Sequence, residues 1–214
     1  RYDQLIEAIR PQLNKPGLRS SCNNLFRKLL LLLLPYPKRL RAILQVMRGY
    51  AGTSIQKKTH ALGLTKLFGP QLQAMEALLP PLSKECFADN FPVINKPHGK
   101  RRGRVGLVLG CVQRCFDPNV NLASLLVLQA NGFEVVIPKD QGCCGAVTHH
   151  QGELKHTQEL AEKLITSFHS ISNNEPSNEE QPIEAILVAA SGCGHTMKGY
   201  NDLLSSEKGF KVPV

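Results

Sequence analysis

The chain has 214 residues, 42% of them hydrophobic, which is enough apolar material for one large domain or two small ones. Its longest apolar run, Leu29 to Leu34, is far shorter than the roughly 20 residues that cross a bilayer, so no transmembrane helix is expected. Seven cysteines are not needed as disulfide staples in a chain with such a core, and we therefore expect a reducing, cytoplasmic compartment. The chain opens within a helical pattern and stops on FKVPV, which resembles the start of a strand, so we interpret it as a piece of a longer polypeptide.

Positive charge is concentrated in the first half of the chain, although the net charge is +9 overall. Residues 1–104 carry 19 Lys and Arg against 5 Asp and Glu, whereas residues 105–214 carry 7 against 12. This asymmetry predicts two regions with different roles, and a basic region can meet nucleic acid, anionic lipid or an acidic protein surface. The cluster HGKRRGR at residues 98–104 has no interleaved aromatic residues, so we expect a solvated tether or a docking patch and no nucleic-acid partner.

Residues 1–80 show helical periodicity interrupted by proline and glycine, which predicts a small all-helical region. The predicted helices, in chain order, are RYDQLIEAIR, SCNNLFRKLLLLLL, PKRLRAILQVMRGYAG and LTKLFGPQLQAMEALL. Residues 81–103 contain Pro81, Pro92 and Pro97 together with most of the basic cluster, which is the composition of a linker.

From residue 104 onward, short apolar runs alternate with helical stretches. The apolar runs are RVGLVLG, FEVVIP and AILVAAS, and the helical stretches are FDPNVNLASLLVLQANG, AVTHHQGELKHTQELAEKLITSFHS and GHTMKGYNDLLSS. An acidic, low-complexity insert, SNNEPSNEEQP, precedes the third apolar run. Alternating strands and helices are typical of a parallel sheet with helices packed on its faces, so residues 104–214 are predicted to form an α/β domain.

Four cysteines follow the three predicted strands. Cys111 comes after the first strand, Cys143 and Cys144 after the second, and Cys193 after the third. Because parallel strands end at one edge of the sheet, where open α/β folds place ligand sites, we expect the four thiols to lie close together. Glycines flank these positions and each lies near a predicted helix start, which favours thiolate. Soft thiolates gathered in this way select zinc, copper(I) or an iron-sulfur cluster.

Other interpretations of the same residues stay open at this point. Buried free cysteine is a common packing residue, a structural zinc uses four sulfur ligands, and a thiol-redox enzyme would use a reactive thiolate. A disulfide between Cys143 and Cys144 is disfavoured because adjacent residues do not meet its geometry easily. The C-x-x-C motif of thioredoxin-type enzymes is absent from the sequence.

Several other residues are weaker candidates. Cys115, four residues past Cys111, is a candidate auxiliary ligand without flanking glycine, and Cys22 and Cys86 are interpreted as structural. The histidines near the cysteines are candidates for a hydrogen bond to a sulfur or for carrying protons: His149, His150 and His195. A solvent-facing helix position is the simpler interpretation of these histidines.

The motifs GCVQRC, QGCCGAVTHH and ASGCGHTMKGY resemble the first cysteine-rich CCG domain of glycolate oxidase iron-sulfur subunits. They resemble lactate-utilisation and heterodisulfide reductase B-type proteins more distantly. The preceding stretches PKRLRAILQVMRGYAG and HGKRRGRVGLVLGC look like the linker region of the same subunits, so the resemblance covers essentially all of the chain. It implies that Cys111, Cys143, Cys144 and Cys193 are the metal ligands of an iron-sulfur cluster of the [4Fe-4S] type, with zinc as the alternative.

The resemblance implies an electron-transfer subunit of a glycolate oxidase or dehydrogenase complex. Its partner would be a flavoprotein subunit with FAD, which oxidises glycolate to glyoxylate, so no substrate-oxidising site is expected on this chain. The alternatives are the iron-sulfur subunit of a D-lactate or related 2-hydroxy acid dehydrogenase, and a zinc-stabilised scaffold that docks the flavoprotein. The basic half is a candidate for contact with the inner membrane surface, because electron delivery to a quinone benefits from proximity to anionic lipid.

The sequence also departs from the pattern of the family. Members usually carry a ferredoxin-like domain with two [4Fe-4S] clusters and a second CCG repeat, and the C-x-x-C-x-x-C runs of the former are absent from these residues. In heterodisulfide reductases the CCG pattern ends in C-x-x-C, whereas Thr196 replaces the last cysteine here. This replacement argues against a non-cubane cluster of the reductase type.

Overall fold

The computed structural model describes residues 5–6, 9–14, 21–174 and 182–205. Parts of the predicted first helix and of the acidic insert, and the C-terminal FKVPV, lie outside these residues, as does the side chain of Cys22. The α-helices are α1 (Ser21–Leu33), α2 (Pro37–Met47), α3 (Ser54–Ala61), α4 (Pro70–Ala77), α5 (Gln113–Phe116), α6 (Pro118–Ala130), α7 (Ala146–His150), α8 (Leu154–Asn174), α9 (Ser191–Lys198) and α10 (Tyr200–Ser205). The strands are β1 (Ile94–Asn95), β2 (Gly103–Val108), β3 (Phe133–Val136) and β4 (Ala185–Val188), and short 3-10 helices cover Gln12–Asn14, Leu64–Phe68 and Lys84–Phe87.

The sheet has the strand order β1-β3-β2-β4. Strand β2 pairs in parallel with β3 on one side and with β4 on the other, while β1 runs antiparallel to β3 at the edge. Every residue of β2 is buried, as its continuous apolar sequence predicts for a central strand covered on both faces. The predicted α/β class, with a mostly parallel sheet preceded by a helical region, is confirmed.

Two of the predicted helices are each divided in the structure. Residues 64–79 form a 3-10 helix and then α4, because Pro70 takes a first-turn position where its missing N–H costs nothing. The long stretch after the double cysteine is divided into α7 and α8 at Gly152. The backbone of Gly152 has φ +75°, and a Cβ there would lie 2.7 Å from the backbone nitrogen of Pro11, so only glycine fits.

Two further elements escape the sequence patterns. Helix α3 begins after Thr53, whose side-chain oxygen accepts a hydrogen bond from the Ile55 amide at 3.3 Å. Residues 81–103, predicted as a linker, contain a 3-10 helix and the edge strand β1. Within β1, the buried Asn95 side chain donates to the Val135 carbonyl of β3 at 3.1 Å.

The helical region and the α/β region share a hydrophobic core. Leu40 and Leu44 of α2 pack with Leu82 and Cys86 from the predicted linker and with Cys115 of α5. The linker therefore contributes buried side chains to the joint between the two regions. Among the described helices, none combines the length and the apolar character that crossing a bilayer requires.

Replacing Leu44 with alanine is expected to lower the free energy of unfolding by about 2–5 kcal/mol, because its side chain is 2% exposed in this shared core. Val46→Ala is the matched control, since Val46 lies on the same helix but is 85% exposed, and its effect should stay within about 0.5 kcal/mol. Urea denaturation followed by circular dichroism measures both values. Equal, small effects would contradict a core shared by the two regions.

Candidate metal centre

The candidate site lies at the edge of the sheet where the parallel strands end. The chain leaves β2 for β3 on one side and then crosses to β4 on the other, so the strand order reverses at β2. In open α/β sheets the crevice at such a reversal is where ligands bind. Cys111 follows β2, Cys143 and Cys144 follow β3, and Cys193 lies in the first turn of α9 after β4.

The structure brings all four of these thiols together. The Cys143 thiol donates a hydrogen bond to Cys111, with 3.1 Å between the two sulfurs. The Cys144 sulfur lies in contact with those of Cys143 and Cys193, and Cys193 packs against the same group. All four are free cysteines, so the group is a chain of hydrogen-bonded thiols and contains no disulfide.

Three of the four sulfurs are sealed from water. Cys111, Cys143 and Cys144 are 4%, 0% and 1% exposed, while Cys193 is only partly buried. The residues packed around them are apolar: Val108, Ala146, Leu160, Leu164 and Phe168. This environment has a low dielectric constant, so the charges of the thiolates interact strongly with one another.

The contacts among the sulfurs shift the pKa values of the four thiols in opposite directions. Hydrogen bonds from Cys143 and Cys193 lower the pKa of Cys144 to about 3. The Cys143 hydrogen bond also lowers the pKa of Cys111. The pKa values of Cys143 and Cys193 are raised, because losing their protons would break these bonds and bring like charges together. The contacts among these sulfurs therefore favour negative charge most strongly on Cys144.

Gly145 fixes the shape of the double-cysteine loop. Its backbone is left-handed, with φ +80°, and a Cβ there would lie 2.9 Å from the Thr157 side chain of α8. Because the loop approaches α8 so closely, the Gly145 amide points at the Cys143 sulfur and donates a hydrogen bond at 3.3 Å. The glycine that follows the double cysteine in the sequence thus orients one of its sulfurs.

Two side chains that sequence reasoning missed hold the cysteine loops in place. Gln141 accepts a hydrogen bond from the Leu109 amide at 2.9 Å and donates to the Leu107 carbonyl at 3.3 Å, which ties the double-cysteine loop to the end of β2. Tyr200 donates its hydroxyl to the Cys144 carbonyl at 2.6 Å. Burial raises the pKa of Tyr200, which keeps the hydroxyl protonated as a donor. Both residues stand within motifs quoted above, Gln141 in QGCCGAVTHH and Tyr200 in ASGCGHTMKGY, but the motifs do not show which backbone groups these side chains bond.

The weaker candidates lie elsewhere. Cys115 is fully buried in the core shared with the helical region, and burial raises the pKa of its thiol to about 11. Its thiol donates to the Cys111 carbonyl at 3.5 Å. Cys86 is buried in the same core, as its structural interpretation requires. His195 is exposed, and His149 and His150 are partly buried on α7 with ring centroids 5.9 Å apart.

The chemistry of the four thiols suits a soft metal ion or an iron-sulfur cluster, but their spacing is that of hydrogen-bonded thiols. Sulfurs that share a tetrahedral zinc at about 2.3 Å lie about 3.8 Å apart, which is more than the 3.1 Å between Cys111 and Cys143. Among the residues described, no group of three or more His, Cys, Asp and Glu side chains converges on one metal position. Binding therefore requires the sulfurs to separate.

Thr196 lies one helical turn after Cys193, at the position where the reductase pattern has its last cysteine. Its side chain is 4% exposed. Its Oγ1 atom is buried and has no hydrogen-bond partner among the described residues. An unsatisfied buried hydroxyl lowers the stability of a protein. The packing around position 196 therefore does not account for the presence of a threonine there.

A parallel sheet with thiols on the loops at one edge defines a cysteine-rich domain of the α/β class. Residues 105–198 match the family described as "Cysteine-rich domain", CCG, and residues 23–79 match the family described as "Glycolate oxidase iron-sulfur subunit, linker region". The chain thus contains a match to each of the two families, with the linker region first and the cysteine-rich domain after it. The resemblance expected from the cysteine motifs is confirmed.

Curated relatives agree with these matches. The chain is 28% identical to "Probable glycolate oxidase iron-sulfur subunit" of Bacillus subtilis over 97% of its own length and 45% of the relative. It is 32% identical to "Glycolate oxidase iron-sulfur subunit" of Escherichia coli over 52% of the chain and 26% of the relative. It is 26% identical to "Lactate utilization protein A" of Bacillus licheniformis over 49% of the chain and 39% of the relative. The chain thus spans less than half the length of these relatives, and no solved structure shows significant similarity to it.

Replacing Thr196 with valine is expected to leave the metal-free protein as stable as before or to stabilise it by about 1 kcal/mol, because an unpaired buried hydroxyl is removed without a cavity. Thr148→Val is the matched control. Its buried hydroxyl donates to the Gly145 carbonyl and pairs with the Thr157 hydroxyl, both at 2.8 Å, so this variant should lose about 1–3 kcal/mol. Thermal unfolding compares the two, and a similar loss in both variants would show that the Thr196 hydroxyl has a partner.

Proposed function

We propose that the chain is part of an iron-sulfur electron-transfer subunit and holds a cluster through Cys111, Cys143, Cys144 and Cys193. The observation that carries this proposal is the convergence of four thiols from three separate segments on one edge of the sheet, within residues that match the cysteine-rich family. When bound, an iron-sulfur cluster accepts and returns single electrons. We propose the [4Fe-4S] type, because four cysteine thiolates are its usual ligand set.

The surrounding residues suit this role. Burial of Cys111, Cys143 and Cys144 excludes water from the centre, which protects thiolate ligands and strengthens every electrostatic contact. The Gly145 amide supplies a hydrogen bond to a ligand sulfur, and such bonds help to set a reduction potential. Tyr200 holds the backbone of the double-cysteine loop through the Cys144 carbonyl.

The electrons would come from a flavoprotein subunit with FAD that oxidises glycolate to glyoxylate. Two relatives named as glycolate oxidase iron-sulfur subunits support this substrate, and the relative named lactate utilization protein A supports D-lactate as the alternative. Both are 2-hydroxy acids. Their oxidation would take place on the partner, and the thiols described here would serve only the transfer of electrons.

We propose that the flavoprotein docks on the basic helical region. Lys57 and Lys58 are exposed on α3. Ile55 and Leu62 beside them are 60% and 73% exposed, so the surface combines positive charge with apolar area, as partner surfaces do. The same positive charge would also favour contact between a cytoplasmic protein and the anionic inner membrane surface. The membrane is therefore the alternative to the flavoprotein as the partner of this surface.

The paired replacement Cys143→Ser and Cys144→Ser is expected to remove most of the iron and acid-labile sulfide from the anaerobically purified protein, because two of four thiolates are lost. Cys86→Ala is the control, since Cys86 is 1% exposed in a different core and its loss should leave the iron content unchanged. Chemical iron and sulfide analysis and EPR spectra of the reduced protein provide the measurement. Unchanged iron in the serine variant would contradict the ligand assignment, and stoichiometric zinc without sulfide would favour the zinc-stabilised scaffold.

The paired charge reversal Lys57→Glu and Lys58→Glu is expected to weaken binding to the flavoprotein roughly tenfold at low salt and to reduce its salt dependence. Lys139→Glu with Lys155→Glu is the control, because both lysines are exposed in the α/β region and the charge change is equal. Binding is measured by biolayer interferometry over a range of salt concentrations. An equal loss of flavoprotein affinity in both variants would contradict a docking surface on α3. If the α3 variant instead keeps its flavoprotein affinity but no longer sediments with anionic liposomes, the membrane surface is favoured.

A further inference from the structure

A buried arginine lies between the cysteine site and the helical region. Arg114 of α5, three residues after Cys111, is 4% exposed. Its Nε donates to the Gly110 carbonyl at 3.0 Å, and its Nη1 lies 3.4 Å from Oδ2 of Asp89. Its Nη2 is buried without a hydrogen-bond partner in the described part of the chain. The guanidinium is thus only partly satisfied by its neighbours.

The charge of Arg114 is not balanced by the groups that surround it. Asp89 is already held by both terminal nitrogens of Arg41, at 3.0 and 2.6 Å, so one carboxylate serves two guanidinium groups. Arginine keeps its proton in proteins, which leaves one positive charge in excess. Cys115 does not supply the missing negative charge, because burial raises the pKa of its thiol to about 11 and the thiol is neutral at pH 7.

Arg114 lies against the turn that carries Cys111, because its Nε donates to the carbonyl of Gly110, the residue just before this cysteine. Burial lowers the pKa of Arg114, so its charged form is costly here, while the charges of Asp89 and the cysteines act in the opposite direction. A buried, unpaired cation destabilises a protein unless an anion compensates it, and the proposed ligand in the turn that Arg114 holds is Cys111.

We propose that Arg114 is a positioning residue that holds one uncompensated positive charge beside the Gly110–Cys111 turn and thereby raises the reduction potential of the cluster bound there. This inference rests on the proposed function. Reduction adds one electron to the centre without making or breaking a bond, so the site becomes more negative by one charge. A fixed cation in an apolar environment stabilises that reduced form more than the oxidised form.

A purely structural role for Arg114, as a tie between the Gly110 turn and Asp89, predicts different results. Substitutions that alter the local charge separate the two roles. Arg114→Gln removes the excess charge, and Arg114→Lys keeps it with fewer hydrogen bonds. Asp89→Asn removes the shared carboxylate, whose side chain is 28% exposed, and leaves both guanidinium charges uncompensated. If the charge acts, the midpoint potential falls in R114Q, stays near the wild-type value in R114K and rises in D89N.

The experiment is an EPR-monitored redox titration of the anaerobically purified full chain, after iron and sulfide analysis of each variant. Arg27→Gln is the matched control, because the Arg27 guanidinium pairs with Glu153 and the Gln151 carbonyl, and its potential should equal that of the wild type. Opposite shifts in R114Q and D89N support the inference. Unchanged potentials in both, with wild-type iron content, overturn it.

Loss of the cluster is also informative. If R114Q loses iron while R114K retains it, the charge is needed at this position, which supports the inference. If both variants lose iron, the midpoint potential of D89N separates the two roles. A raised potential in D89N supports the inference, and an unchanged one overturns it. If the wild-type protein contains no iron or sulfide, both the proposed function and this inference are wrong. The wild-type protein is therefore analysed before any variant.

Discussion

Four sulfur atoms are crowded into an apolar space, and the rest of the structure accommodates that crowding. Like charges in a low-dielectric environment repel strongly, so the thiols share protons in S–H···S contacts such as the one between Cys143 and Cys111. The sulfurs come from three separate segments that follow β2, β3 and β4. The sheet sets where these loops start, because β3 and β4 flank β2 in parallel. Gln141 and Tyr200 then restrain the loops through backbone groups, and leave the sulfurs themselves available.

The helical region takes part in this arrangement. Helix α5 has only four residues, yet Cys115 packs into the core with Leu44, while Arg114 holds the Gly110 carbonyl just before Cys111. Asp89, from the segment between the two regions, bonds both Arg114 and Arg41 of α2. A change in the packing of α2 therefore reaches the first cysteine loop through two kinds of contact, one apolar and one ionic. This explains in physical terms how the two matched families can occur together as one structural unit.

The sequence is sufficient to predict the α/β class and the convergence of the four cysteines. Both depend on local patterns, namely continuous apolar strands and thiols placed just after them. The break at Gly152 is not predictable, since it depends on the approach of Pro11, which is distant in sequence. Strand β1 has two residues and so carries no periodicity. Likewise, the excess positive charge at Arg114 arises because Asp89 bonds both Arg114 and Arg41. These contacts join residues that are distant in sequence, so no local sequence pattern predicts them.

The partial exposure of Cys193 makes the site asymmetric towards solvent. A dissolved oxidant such as peroxide meets this sulfur first, because Cys111, Cys143 and Cys144 lie behind it in the apolar interior. The raised pKa of Cys193 keeps this outermost sulfur protonated, and a thiol reacts with peroxide more slowly than a thiolate does. The site therefore presents its most accessible sulfur to solvent in a form that resists oxidation.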